Sequence, residues 1–145
     1  MDSLIRLLRE NVQPPPGRKG WAGGPTPDGA VRGLTACQAH WAPAPGRPSI
    51  WGLMLHIAYW KYAVRRRLDG GGGERFPRRP ANWPRVPDRA DAKAWAADVA
   101  LLREESARLL DAITRVPRAA LSRSLPPSRR WTRAETILGI AQHDA

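Results

Sequence analysis

Ser49-Ile50-Trp51-Gly52-Leu53-Met54-Leu55-His56-Ile57-Ala58-Tyr59-Trp60 decides the fold of this chain. Ser49 follows Pro48 and is a good N-cap, because its hydroxyl can accept from an unpaired amide of a first helical turn. The helix it opens is expected to run to about Leu68, where Gly70-Gly71-Gly72-Gly73 stops it. Leu53, His56, Ile57, Trp60 and Val64 recur at spacings of three, one, three and four, the mark of one inward stripe, with Lys61, Arg65 and Arg66 mostly away from it. His56 is thereby expected on the apolar face. The run from Ile50 to Trp60 falls far short of the ~20 apolar residues that span a bilayer, so no membrane segment is expected.

Helical signals continue on both sides. Asp88 or Asp91 can start a long helix reaching about Val116, before Pro117. Along it Trp95, Val99, Leu102, Leu109, Ile113 and Val116 form an apolar seam with Ser106 as its one polar member, a face expected to pack on other helices. Thr132-Arg133-Ala134-Glu135 is a capping box that opens a last helix through Ile137, Leu138 and Ile140. Towards the amino end, Ser3 can cap a short helix that Pro14-Pro15-Pro16-Gly17 terminates. Between it and Pro48 the chain is rich in Gly and Pro, with short helices expected near Pro27 to Arg32 and after Thr35, where Thr35-Ala36-Cys37-Gln38 fits a second capping box. Residues 70–87 read as an irregular linker, and no alternating strand pattern appears. The expected architecture is all-α: a four-helix bundle in one domain over residues 1–145, with a long Gly/Pro-rich segment after the first helix.

Composition narrows the function classes. The 145 residues carry 24 Lys+Arg against 13 Asp+Glu, a net charge of +11, yet 21 of the 24 cations are Arg and Ala is the commonest residue, a skew that GC-rich codons alone would produce. The pairs and triplets Arg65-Arg66-Arg67, Arg78-Arg79 and Arg129-Arg130 are scattered, and no recognition-helix, zinc-finger or RNP pattern accompanies them, so they read as solvated helix ends and loops and no specific nucleic-acid partner is expected. Cys37 is alone and is expected to be a small buried apolar group. Met1-Asp2-Ser3-Leu4-Ile5-Arg6 meets an acid at once and lacks the apolar core of a secretory signal, which makes cytoplasmic residence the expectation.

Three histidines remain: His40 in the irregular region, His56 in the second long helix and His143 near the end of the last. Imidazoles on facing helices can converge on a divalent ion such as Zn or Ni, while a lone histidine on an apolar face is more often a hydrogen-bonded core residue. The segment from Ser49 to Trp60 resembles the S-I-W-x-L-x-x-H-I-x-x-W helix of the DinB/YfiT-like superfamily of metal-dependent enzymes, and Thr136-Ile137-Leu138-Gly139-Ile140-Ala141-Gln142-His143-Asp144 resembles that family's last core helix, with a Gly shortly before a ligand histidine. The helix with Trp95 also fits.

The resemblance implies a four-helix bundle, often dimeric, that holds a divalent ion by three histidines, of which His56 and His143 match the first two. The third would lie four residues past His143, beyond Ala145, as in a family member truncated at its carboxy end. Some relatives carry Trp-His-Gly-Pro early in the chain, where Trp21-Ala22-Gly23-Gly24-Pro25 stands here, and His40 has no counterpart and is expected to be a spare solvent-facing residue. Dividing the ~10 to 16 kcal/mol of a four-ligand zinc site evenly gives roughly 3 to 4 kcal/mol per ligand, so two histidines alone would hold Zn or Ni at low occupancy. Asp144 points ~100° away from His143 on a helix and is not expected to replace the missing donor.

The family includes thiol transferases, and the resemblance implies a metal-dependent transferase or hydrolase, thiol-dependent in some members, acting on a small-molecule substrate. The alternative is a catalytically inactive binding scaffold of the same fold; a third reading is a basic nucleic-acid-binding helical protein. Because the last helix, at ~20 Å, is far shorter than the ~39 Å helix beside it, an apolar groove is expected to stay open next to the long helix and to favour a homodimer or other self-association.

Overall fold

The computed structural model describes residues 1–20, 23–126 and 130–145. Its helices are α1 (Ser3–Val12), α2 (Pro27–Val31), α3 (Ala36–His40), α4 (Ile50–Leu68), α5 (Ala92–Arg115) and α6 (Arg133–His143), with one 3-10 turn at Arg118–Ala120. Among the described residues there is no strand, only an isolated antiparallel bridge between Ser124 and Thr132. The four longer helices form a closed ring in which α4 lies between α5 and α6, and α1 lies against both of these. This is the all-α bundle expected from the apolar periodicities.

Local chemistry sets the helix ends. Ser49 Oγ accepts from the amide of Gly52 at 3.1 Å and starts α4. At its far end Gly70 takes φ 90°, a left-handed turn that favours glycine, and the chain folds back so that the Gly71 amide reaches the Arg66 carbonyl at 2.7 Å. Asp91 caps α5 through the amide of Ala94 at 2.6 Å. Thr35 and Thr132 both close full capping boxes, with Gln38 and Glu135 returning to the cap residue's own amide. The α1 cap is Asp2, not the expected Ser3: its carboxylate accepts from Leu4 N at 2.9 Å and is ion-paired to Arg118 at 3.0 Å. A carboxylate there also suits the positive end of the helix dipole.

Two apolar clusters fill the ring. In the lower one Ile5, Leu8 and Val12 of α1 meet Val64, Leu109, Ile113, Ile137 and Ile140. In the upper one Trp51, Leu55 and Ala58 of α4 pack with Trp95 and Leu102 of α5, and Val31, Ala36 and Ala39 of the short helices close over them. Trp51 and Trp95 meet edge to face with centroids 5.1 Å apart, and their indole N–H groups donate to Asp98 at 2.8 Å and to the Leu34 carbonyl at 2.9 Å. The short α6 therefore covers only the lower half of the bundle, and the groove expected to lie open beside α5 is filled by α2 and α3. Those small helices bury the upper apolar face instead of a longer last helix.

Several side chains stand elsewhere than their spacing suggested. The inward stripe of α4 is Trp51, Met54, Leu55, Ala58 and Tyr62 together with the expected Val64, whereas Leu53 is 43% exposed. Lys61 faces inward and is buried, against expectation. On α5 the carboxylates of Asp98 and Glu105 sit within the apolar seam, compensated by Arg78 at 2.6 Å and Arg65 at 3.0 Å. Cys37 is exposed, because the α3 face turned to the core belongs to Ala36 and Ala39. Residues 70–87, expected as a loose linker, are irregular but pinned: Phe76 is buried against α4 and Arg78 reaches Asp98.

Candidate metal centre

His56 on α4 and His143 on α6 face one another, with Nε2 atoms 3.1 Å apart and ring centroids 5.0 Å apart. The structure thus brings together the two histidines that the sequence singled out. His56 comes from the middle of α4, the helix most strongly specified by its cap and stop. His143 ends α6, whose register is fixed by the Thr132 capping box and by Ile137 and Ile140 in the lower core.

Each ring is oriented from behind. His56 Nδ1–H donates to the Asn82 carbonyl at 2.6 Å, and the indole of Trp83 stacks on the ring with centroids 3.9 Å apart and planes 11° from parallel. Asn82 is itself held by Trp60, whose Nε1–H donates to Asn82 Oδ1 at 2.8 Å. It adopts φ 71°, a left-handed conformation that asparagine tolerates better than most residues. His143 Nδ1–H donates to Asp144 Oδ1 at 3.1 Å, and Asp144 Oδ2 lies 2.5 Å from Lys61 Nζ. The Lys61 and Asp144 side chains are only 2% and 4% exposed, so this ion pair is shielded from water. Oδ2 accepts no well-angled hydrogen bond, and the nearby ammonium alone compensates it.

These partners fix the tautomers. A carbonyl and a carboxylate oxygen can only accept, so both Nδ1 atoms carry protons, and in the neutral imidazoles both Nε2 atoms present lone pairs. Two lone pairs 3.1 Å apart repel unless a cation lies between them, either a shared proton or a metal ion. With Zn–N bonds of about 2.0 to 2.1 Å, a tetrahedral pair of ligands has its nitrogens about 3.3 Å apart, close to the spacing seen. The donor set therefore fits two positions of a zinc-type or nickel-type sphere. Among the described residues no group of three or more His, Cys, Asp or Glu is gathered to hold an ion. Asp144 occupies an orienting position and has both oxygens engaged, in keeping with its direction on the helix.

The DinB superfamily model matches residues 28–145, about four fifths of the chain. The chain belongs to the DinB superfamily. That match takes in α3 to α6 and both histidines. No curated protein and no solved structure matches the chain. The comparison of Trp21-Ala22-Gly23-Gly24-Pro25 with the Trp-His-Gly-Pro of some DinB relatives turns on Trp21 and Ala22, which lie outside the described residues.

The third histidine is no spare surface group. His40 Nε2–H donates to the Pro87 carbonyl at 2.8 Å and its ring meets Trp51 edge-on at 6.2 Å, so it ties α3 to the end of the irregular segment. Sequence reasoning missed Asn82, Trp83 and Lys61 as members of the site. Asn82-Trp83 lies between Pro80 and Pro84, a constrained stretch whose shape periodicity cannot report. Lys61 carried a faint signal: it is one of three lysines in a chain that otherwise uses Arg. Among the described residues no helix is long and apolar enough to cross a membrane.

Proposed function

We propose that His56 and His143 are two ligands of a divalent metal ion, zinc or nickel, and that the chain is a metal-dependent transferase or hydrolase of the DinB superfamily, acting on a small molecule. The observation that carries this reading is the pair of Nε2 lone pairs 3.1 Å apart, each aimed by an acceptor behind its own ring. Such outer hydrogen bonds are the usual means of orienting metal-binding histidines. When bound, the ion would lower the pKa of a thiol or water and so supply a nucleophile. The chain's own residues hold the imidazoles in their metal-binding tautomers. The stacked Trp83 and the edge of Trp60 shield one side of His56 from water.

The test is a titration of the purified chain with Zn²⁺ and, separately, Ni²⁺, read by equilibrium dialysis and metal analysis. At roughly 3 to 4 kcal/mol per ligand, two histidines give a Kd of about 1 to 40 µM. His56→Ala and His143→Ala are each expected to weaken binding by about two to three decades. Equal metal uptake by the parent and both variants would refute the site. No stoichiometric uptake by the parent would leave a non-catalytic scaffold of the same fold.

A further inference from the structure

A cleft of about 520 Å³ opens between α4 and α6, with His143 in its lining. Trp60, Val64, Trp131 and Leu138 wall it. Trp131 is 50% exposed and Leu138 42%, so large apolar side chains are left wet along a concave surface. That volume lies within the range of small-molecule sites, and an apolar lining with few polar groups is their usual make-up. Arg67 also lines the cleft and has no acidic partner among the described residues, so its charge is open to an anion. The Arg130 guanidinium lies over the Trp131 ring, 5.1 Å from its centroid, and helps to hold that indole in place. The one carboxylate in the lining, Glu135, is turned to the Thr132 amide and hydroxyl at 2.7 and 2.8 Å.

We infer that this cleft binds a small carboxylate with an aryl or alkyl body, the body between Trp60 and Trp131 and the anion on Arg67. The remaining end of such a molecule is delivered to His143, so the inference names the substrate class of the centre proposed above and rests on that reading for its role. The binding itself needs no metal, since the anion is held by Arg67. Gly139 gives the means of closing the cleft. It lines the cleft, and a Cβ built there meets nothing within 4 Å, so a larger side chain enters open space without disturbing the core.

The experiment titrates 4-phenylbutyrate and its neutral counterpart 4-phenylbutan-1-ol into the chain by calorimetry, in the presence of a chelator. The acid is expected to bind more tightly than the alcohol by about fivefold, the scale of a partly exposed ion pair, and Arg67→Ala to remove that difference. Gly139→Phe is expected to abolish binding of both, and Gly139→Ala, which leaves most of the space, to retain it. Circular dichroism on each variant separates loss of the cleft from loss of the fold. Undiminished binding in Gly139→Phe, or no preference for the acid, overturns the inference. So does light scattering that finds the parent a dimer and Gly139→Phe a monomer, with no binding of either probe, since a second copy of the chain would then be the occupant. Acid binding by a parent chain that takes up neither Zn²⁺ nor Ni²⁺ would sink the metal reading and leave the cleft standing.

Discussion

Lys61 and Asp144 form a buried ion pair whose Asp144 oxygen also orients His143, so one substitution tests packing, electrostatics and the site together. Lys61→Met keeps the length of the apolar stem and removes only the charge. Breaking a buried pair from one side costs about 3 to 5 kcal/mol, because the remaining charge stays out of water without compensation. Here the low end applies, about 3 kcal/mol, since Asp144 keeps the His143 Nδ1–H bond and lies just past the last turn of α6, where it can swing towards solvent. For a chain of this size that is a fall in Tm of about 10 °C. Asp144→Asn strands the lysine instead and is expected to cost about as much. The double variant buries no unpaired charge and is expected to be no less stable than either single one, a coupling of about 3 kcal/mol or more. Urea unfolding followed by tryptophan fluorescence, at constant m, measures all four proteins. A Lys61→Met midpoint equivalent to within ~0.5 kcal/mol of the parent, or strictly additive single variants, would refute the reasoning. Asp144→Ala, which removes the acceptor behind His143, is also expected to weaken Ni²⁺ binding by about 10- to 100-fold.

Other expectations follow from single contacts. Asn82→Gly keeps both the left-handed backbone and the carbonyl that holds His56 and should leave metal affinity near that of the parent, whereas Asn82→Val is expected to cost about 1 to 2 kcal/mol in thermal unfolding and to loosen the ring. Asp98→Ala strands the Trp51 indole N–H and the Arg78 guanidinium and should destabilise by about 3 to 5 kcal/mol in the same assay, with Asp98→Asn milder because it still accepts from Trp51. The Glu135 carboxyl is held below its ordinary value of 4.5 by hydrogen bonds from the Thr132 amide and hydroxyl. Its contribution to capping α6 is therefore complete above pH 4.5 and is lost as pH falls from there through the lowered value. Glu135→Gln should flatten that acid limb of stability, measured as urea midpoints between neutral and acid pH; an unchanged slope would contradict the capping role.

The bundle was legible because its signals are local. Ser49, Asp91, Thr132 and Thr35 cap helices through their own side chains within three residues, and Gly70 ends α4 by its own φ. Such contacts are written into consecutive residues and need no knowledge of the rest of the fold. What covers the upper half of α4 and α5 was not legible. The Gly/Pro-rich segment looked too irregular to contribute a core, yet Val31, Ala36 and Ala39 suffice, because small residues on one-turn helices can approach Trp51 and Trp95 closely. The stripe of α4 failed for a related reason. With apolar residues almost all round from Ile50 to Trp60, several faces satisfy the same 3-4 spacing, and only the neighbours decide that Leu55 and Ala58 go in while Leu53 stays out.

The centre divides in the same way between what a helix specifies by itself and what it receives from afar. His56 and His143 could be paired from sequence because each occupies a defined register of a well-capped helix. The groups that aim the two imidazoles at one another lie outside those registers. Asn82 enters from a segment with no periodicity, 26 residues along the chain, and acts through a backbone carbonyl that any residue type would possess. Its identity matters only through φ 71° and the bond from Trp60, both consequences of tertiary structure. Lys61 lies five residues after His56 and so on a different side of α4, where a helical-wheel argument puts a cation in solvent. It is buried because Asp144, just beyond α6, needs a counter-charge there, and no pattern within either helix alone could require that. The two imidazoles are thus the local half of the candidate site and their orientation is the non-local half. A histidine pair found by helical register becomes a metal-site proposal only when the acceptors behind both Nδ1 atoms are found as well.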